Sequence, residues 1–419
     1  MDIMKILWFT NREFVPQDEG YSGTWLQPLA EELIKLGDFE LANLTYGKTN
    51  KLVKRDCGSI QQWVIPYSRP ILRGLPGKSV VEEILGVHAL YSPDIVQFWG
   101  VEYFWGLLAA RNIINTPALL EIQGLTHEIV REYTGGLSIA EQIKCIGPRE
   151  IILRSSMFQD QRRLLRWGGY EKEIIKRNKF ICTPSPWIEA KVKDLNPGCK
   201  LFHNELALRL PFYNAVAWDP ESAQKARIFC SASYPAAFKG VHVAIRAIAR
   251  LKNRYPSIQL RIAGLKQAKS IRKYGYISWL EKLIEKHHIK ENVVWLGYLN
   301  ASEIINELQA SSAVLIPSYT ESYCVALAEA MFLGVPCVTT FTGGTSYLAK
   351  DETSALFFPV GDVEMCAYQI QRLLSDSALA HKISQNGRRV GLERNNLLKI
   401  TDQQTSIYSS IFKNKQILQ

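Results

Sequence analysis

Glu321-Ser322-Tyr323-Cys324-Val325-Ala326-Leu327-Ala328-Glu329-Ala330-Met331 runs through Phe332 into Leu333-Gly334-Val335-Pro336-Cys337-Val338. The stretch sets two carboxylates eight positions apart and opens a small-residue apolar helix between them. A Gly-Val-Pro turn then feeds a strand that reads as buried. The first half is a loop meeting a helix N-terminus, where N–H groups without intrahelical partners and the helix dipole suit a phosphate. Glu329 falls about one turn into that helix, placed to accept hydrogen bonds from sugar hydroxyls. Together these features suit a sugar carried on a nucleotide diphosphate. Ala326, Leu327, Ala328, Ala330 and Met331 form a packing stripe in either case. Two helical glutamates are common, so the functional reading depends on what surrounds them.

Outward from this stretch, strand-like apolar runs alternate with helix-like periodic segments, the pattern of parallel sheets covered on both faces. Before it stand strand Arg227–Ser231, helix Gly240–Arg254, strand Ile258–Ala263, helix Ser278–His287, strand Val293–Leu296, helix Ala301–Ala310 and strand Ala313–Ile316. After it come strand Pro336–Thr339 and helices Val363–Ser375, Ala378–Leu392 and Ile400–Phe412. The first half reads as strand Lys5–Phe9, helix Trp25–Leu36 stopped by Gly37, and strands Ile95–Phe98, Ala118–Ile122, Ile181–Thr183 and Leu201–His203. A polar connection with Pro220, between Phe212 and Ala226, reads as a hinge. The expected architecture is α/β, with residues 1–217 as an N-terminal acceptor-side domain and 218–399 as a donor-binding domain. The last helix, within 400–419, is expected to pack back on the first domain. Ligands in such sheets bind at the carboxyl ends of the strands.

A chain of 419 residues suits two cores better than one. Its 47% hydrophobic and 21% charged content is that of a globular protein. No apolar run approaches the roughly 18–20 residues that a membrane helix needs. Met1 to Phe9 is a short apolar run without a cleavage site, read as the first strand rather than a signal peptide. Eight scattered cysteines, with no C-x-x-C pair, indicate neither a zinc site nor a disulfide framework. A cytoplasmic setting is expected, at the inner face of the plasma membrane if the acceptor is a lipid.

The net charge of +10 implies an anionic partner. Basic residues crowd 144–179, among them Lys144, Arg149, Arg154, Arg162, Arg163 and Arg166, interleaved with Ile151, Ile152, Leu153, Phe158, Leu165 and Trp167. Such a stretch either lies on an anionic membrane or is a solvated face over a core.

Several strand–helix junctions carry candidate ligands. Gly23 and Thr24 precede the first helix, where glycine permits close approach to a ligand. The run Ser231 to Gly240 ends in Lys239-Gly240 before a helix, where a lysine meets phosphate oxygens beside N–H groups. Thr342-Gly343-Gly344-Thr345 reads as a flexible loop suited to a sugar or phosphate. His127, after strand Ala118–Ile122, is a candidate facing the acceptor.

These pieces resemble the donor-binding domain of retaining GT-B glycosyltransferases, glycosyltransferase family 4, the group 1 family. The resemblance covers residues 225–395. It rests on Lys239-Gly240, Ile262-Ala263-Gly264, Val294 to Tyr298, Ser318 to Met331, Gly334-Val335-Pro336 and Gly343-Gly344. In the first half only Gly23 and Pro93-Asp94-Ile95-Val96 are family-like. The resemblance implies a GT-B fold, two doubly wound Rossmann-like domains facing an interdomain cleft. By the same resemblance Glu321 contacts the transferred sugar and Glu329 the ribose, while amides of Tyr323, Cys324 and Val325, beside Ser322, cradle the distal phosphate. Lys239 neutralises the diphosphate, Gly23 approaches it from the other domain, and Gly264 and Tyr298 lie against the nucleotide. The chain departs from the family at Tyr234, where an arginine is usual, with Arg209 a possible substitute. It departs also at Ser322 and Cys324, where glycines are usual, and at Gln123, where a histidine is usual.

The expected activity is transfer of a hexose-type sugar from a UDP- or GDP-sugar with retention, in cell-surface polysaccharide (capsule or O-antigen) or glycolipid assembly. The acceptor is a carbohydrate or lipid-linked glycan. No Asp-x-Asp signature appears, so no metal or further cofactor is expected. A nucleotide-sugar epimerase on the same architecture is the competing enzyme. A basic nucleic-acid-binding protein is the non-enzymatic alternative, supported by charge alone.

Overall fold

The computed structural model describes residues 3–15, 25–67, 73–232, 236–264 and 274–418. The chain divides into two compact units: residues 1–127, 166–210 and 395–419 form the first, and 128–165 with 211–394 the second.

The first unit is built on strands β1 (Met4–Phe9), β2 (Phe39–Gly47), β3 (Val53–Lys54), β4 (Gln61–Pro66), β5 (Ile95–Trp99), β6 (Ala118–Glu121), β7 (Phe180–Thr183) and β8 (Lys200–His203). They lie in the order β3-β4-β2-β1-β5-β6-β7-β8, and only the β3–β4 pair is antiparallel. The apolar runs expected at β1, β5, β6, β7 and β8 form those strands within a residue or two. β2 and β4 are not legible in the sequence because buried polar residues interrupt their apolar pattern. Asn43 and Gln62 are buried in neighbouring strands, with the Asn43 amide donating to Gln62 Oε1 at 2.8 Å and Thr10 Oγ1 donating to Asn43 Oδ1 at 2.9 Å. Each polar group supplies what the other would lose on leaving water.

Helix Leu397–Leu418 covers part of this sheet. Ile400, Ile407, Tyr408 and Ile411 join the core of Ile6, Trp8 and Leu29, and Trp8 Nε1 donates to the Tyr408 hydroxyl at 2.8 Å. The chain therefore returns to the first unit only after the second sheet is complete.

The second unit holds β9 (Gln224–Ser231), β10 (Gln259–Ala263), β11 (Val293–Gly297), β12 (Ser311–Ile316), β13 (Cys337–Thr340) and β14 (Leu356–Phe358). Their order is β11-β10-β9-β12-β13-β14, all parallel. Helices Val241–Leu251, Gly275–Lys286 and Val363–Ser375 pack their apolar faces with Ile228, Cys230, Leu260 and Leu315. Within the connection read as a hinge, Trp218 is fixed to this unit, its backbone N–H bonding Leu333 O and its indole bonding Ser311 O, both at 2.8 Å. The segment 128–165, in the first half by chain order, clusters with the second unit. All eight cysteines are buried and free of disulfides, and burial pushes Cys230 and Cys337 up to about 12.

Glu121, at the end of β6, is 1% exposed, and neither carboxyl oxygen has an N–H or O–H partner among the described residues. Burial raises its pKa to about 8, against the opposing effects of Cys182 and His203. An unfolded glutamate titrates near 4.5. Between these values the folded chain keeps a proton that the unfolded chain has released, so the stability from this site falls as pH rises through that window. Glu121→Gln should flatten the fall and raise the midpoint of thermal unfolding at pH 8 by several degrees, with little change at pH 4.5. Melting curves of both proteins across this range check it.

Candidate functional site

Strand order fixes where chemistry can gather. The chain runs outward from β9 through β10 to β11, then crosses to β12, β13 and β14 on the other side. Loops leaving β9 and β12 therefore diverge from adjacent strands at a topological switch point, where parallel sheets hold ligands. Lys239 follows β9 and Glu321 follows β12.

Backbone contacts sew these loops together. Tyr319 N–H donates to Phe238 O at 2.7 Å. Gly240 has φ +69°, and a Cβ there would lie 1.9 Å from Pro317 O, so only glycine allows this approach. As a result Lys239 Nζ sits 2.7 Å from Glu321 Oε1, which also accepts from Ser318 Oγ at 2.7 Å. The two charged side chains are 20% and 12% exposed. Burial works to lower the Lys239 pKa, but the charge and hydrogen bond of Glu321 outweigh it, and the ammonium is held above its usual range. The lysine is a fixed cation at any physiological pH.

The loop after β13 braces Glu321 from its other side. Gly344 N–H donates to Glu321 O at 2.8 Å, and Thr342 Oγ1 donates to Tyr319 O at 2.8 Å. A Cβ on Gly343 would stand 1.9 Å from Glu321 O, and one on Gly344 2.2 Å from Ser322 O. The sequence suggests a flexible loop embracing a ligand. These glycines let two backbone segments touch. Below them the Tyr319 ring stacks on His242 at 5.8 Å, and burial lowers the His242 pKa to about 3, keeping that imidazole neutral. His242 is a residue at this site that the sequence does not single out, whereas Ser318 and Tyr319 open the stretch that carries the resemblance, without a role of their own.

Helix Val325–Leu333 begins beside this pair. Cys324 takes a left-handed conformation with φ +83° and ψ +72°. The N–H groups of Leu327 and Ala328 both reach Cys324 O at 3.1 Å. Those of Val325 and Ala326 have no intrahelical acceptor, as the first N–H groups of any helix do not. Glu329 is 4% exposed inside a helix whose residues from Leu327 to Leu333 are all buried. Side chains on a helix lean toward its N-terminus, so Glu329 belongs to the same end as Cys324.

Gly264 and Tyr298 stand at the ends of neighbouring strands β10 and β11, where Gly264 N–H donates to Gly297 O at 2.6 Å and Tyr298 is 64% exposed. Along one sheet edge the order is thus Tyr298, Gly264, Lys239, Glu321, Gly343. Gly23, Thr24 and Tyr234 lie outside the described residues.

His127 lies in the first unit. Its Nδ1 is 2.5 Å from Glu171 Oε2, and the backbone N–H groups of Thr126 and His127 also donate to that carboxylate, at 2.7 and 2.8 Å. A carboxylate offers only lone pairs, so Nδ1 carries the proton and the ring orientation is set. Glu171, wholly buried and 44 residues downstream, has no signal in the sequence.

Gly240→Ala tests the sewing of the two loops. The left-handed backbone and the clash with Pro317 O should cost about 2–5 kcal/mol, read as a lower urea midpoint. A midpoint equal to that of the unaltered chain would show that the loops can separate freely.

Residues 216–390 match the family described as "Glycosyl transferases group 1". An uncharacterized glycosyltransferase of Methanocaldococcus jannaschii is 26% identical over 170 residues, which is 41% of this chain and 41% of that protein. Among solved structures, sucrose-phosphate synthase from Thermosynechococcus elongatus superposes with a TM-score of 0.73 at 17% identity, over 98% of this chain and 100% of its own. Anabaena HepE in complex with UDP and glucose gives 0.68 at 15%, over 97% of this chain and 100% of its own. The two parallel-sheet units fit the GT-B fold, and residues 216–390 match the group 1 glycosyl transferases.

Proposed function

We propose that this protein transfers a sugar from a nucleotide diphosphate donor to a carbohydrate or lipid-linked glycan acceptor, with retention of configuration. The observation that carries the reading is the Lys239–Glu321 pair at the switch point, 2.7 Å apart and beside the N-terminus of helix Val325–Leu333. In this arrangement the donor takes over both halves of the pair. Lys239 turns to the diphosphate and Glu321 to hydroxyls of the transferred sugar. The amides around Tyr323, Cys324 and Val325 receive the distal phosphate, Glu329 the ribose, and the Gly264–Tyr298 edge the base. HepE's complex with UDP and glucose favours a uridine nucleotide for this chain.

As the glycosidic bond breaks, negative charge gathers on the leaving diphosphate. Once the donor is bound, Lys239 and the helix amides face that charge before the bond breaks, so they stabilise it without further reorganisation. Retention follows if the acceptor hydroxyl attacks from the leaving-group face and gives its proton to a phosphate oxygen. The acceptor side is assigned to the first unit, with His127, oriented by Glu171, its candidate group. The setting proposed is cytoplasmic, in polysaccharide or glycolipid assembly.

Thermal-shift titration with UDP, GDP and ADP tests the donor site, since a ligand that binds the folded state raises its melting point by mass action. UDP should stabilise most. Lys239→Met should lower turnover by about 10²–10³-fold. Glu321→Ala should abolish transfer, and Glu329→Ala should chiefly raise KM for the donor. Because Glu321→Ala strands a half-buried ammonium, Glu321→Gln serves as the folded control and should also be inactive. Full turnover by a folded Glu321→Gln protein would remove Glu321 from the reaction.

A further inference from the structure

The helices Ile139–Lys144 and Pro148–Leu153 and the first turns of helix Met157–Arg177 form one layer on the second unit. Their inner side is well anchored. Cys145 and Leu137 belong to the core of the second unit, Glu150 accepts from Gly147 N–H and Gly275 N–H, and the Arg149 guanidinium lies 3.8 Å from the Tyr274 ring centroid. The outer side has the opposite character. Of the fourteen large hydrophobic side chains among the described residues that are more than half exposed, six fall between positions 139 and 165. They are Ile139 (70%), Ile143 (56%), Ile151 (69%), Ile152 (66%), Leu153 (57%) and Leu165 (59%). A cluster of this density marks an interaction surface, whereas single exposed apolar residues do not.

Charge selects the partner. From 138 to 169 the chain has six basic and three acidic residues. Each acid is engaged within the protein: Glu141 with Arg246 at 2.6 Å, Glu150 with the two backbone N–H groups, and Asp160 with Arg163 at 2.9 Å. Lys144, Arg154 and Arg162 are exposed among the isoleucines and leucines. The outer face is therefore aliphatic with a basic fringe. It complements a surface that is anionic outside and hydrocarbon beneath.

We infer that this face docks peripherally on an anionic lipid bilayer, with Ile139, Ile143, Ile151, Ile152 and Leu153 entering the headgroup boundary and Lys144, Arg154 and Arg162 meeting lipid phosphates. No helix among the described residues is long and apolar enough to cross a membrane, so the contact is one of lying on it. The inference narrows the basic 144–179 region to 139–165 and makes aliphatic insertion, beyond charge, part of the contact. It does not depend on the donor-site assignment, because lipid binding is read without sugar transfer.

Co-sedimentation of the full chain with phosphatidylcholine vesicles, with and without phosphatidylglycerol, tests it. Binding is expected only with the anionic lipid. Ile151→Asn combined with Ile152→Asn should reduce partitioning at least about tenfold, and Arg154→Gln with Arg162→Gln about fivefold per residue. UDP-induced stabilisation and the melting point should be unchanged in both. No binding to anionic vesicles at low salt would overturn the inference, as would binding indifferent to the isoleucine pair. A concentration-dependent dimer that the isoleucine variant abolishes, with vesicle binding absent, would assign the face to a second copy instead.

Discussion

Lys239 and Glu321 meet because β9 and β12 are adjacent parallel strands whose following loops leave the same sheet edge. Parallel pairing sends every crossover away from that edge and brings every strand–helix loop to it. Nothing else in the chain would bring residues 82 positions apart to 2.7 Å. The pair then depends on glycine at two levels. Gly240 lets the lysine loop pass against Pro317, and Gly343 and Gly344 let the β13 loop press on the backbone of Glu321 and Ser322. The backbone of Glu321 is thus held from both sides.

A half-buried ion pair is a costly element to maintain when no ligand is bound, since both charges have left water. In the proposed reaction its value is preorganisation: the cation is the group assigned to the diphosphate, and the carboxylate the group assigned to the sugar hydroxyls. Cys324 adds to the same theme. An L-residue held at φ +83° at a helix start is strained by about 1–2 kcal/mol, and the strain persists because the loop is fixed at both ends.

Much of this arrangement is legible in the order of residues alone. The alternation of apolar runs and helical periods locates β1, β5 to β13 and eight of the helices, seven of them after residue 240, because a strand buried on both faces is continuously apolar. β2 and β4 stay hidden for a reason internal to the fold: Asn43 and Gln62 satisfy each other inside the sheet, and each alone looks like a surface residue. Lys239 and Glu321 are legible because each follows a strand and precedes a helix, and Glu329 because it stands eight positions after Glu321. His242 and Glu171 are not, since their roles are partnerships with distant residues. The Gly343-Gly344 loop is legible as a place of close approach, but a glycine does not say to what.

Local pattern thus determined, from sequence alone, that the chain has two parallel-sheet halves and that a helix start suited to phosphate follows Glu321. Periodicity and junction chemistry are properties of neighbouring residues and survive without coordinates. The tertiary structure decided which loops are sewn together, that residues 128–165 cluster with the second unit, and that helix Leu397–Leu418 closes the core of the first. It also decided that Ile139, Ile143 and Ile151 to Leu153 face outward while Cys145 and Glu150 face in. A short apolar helix looks the same in sequence whether its stripe meets a core or a lipid surface, and only the packing of the other side distinguishes the two.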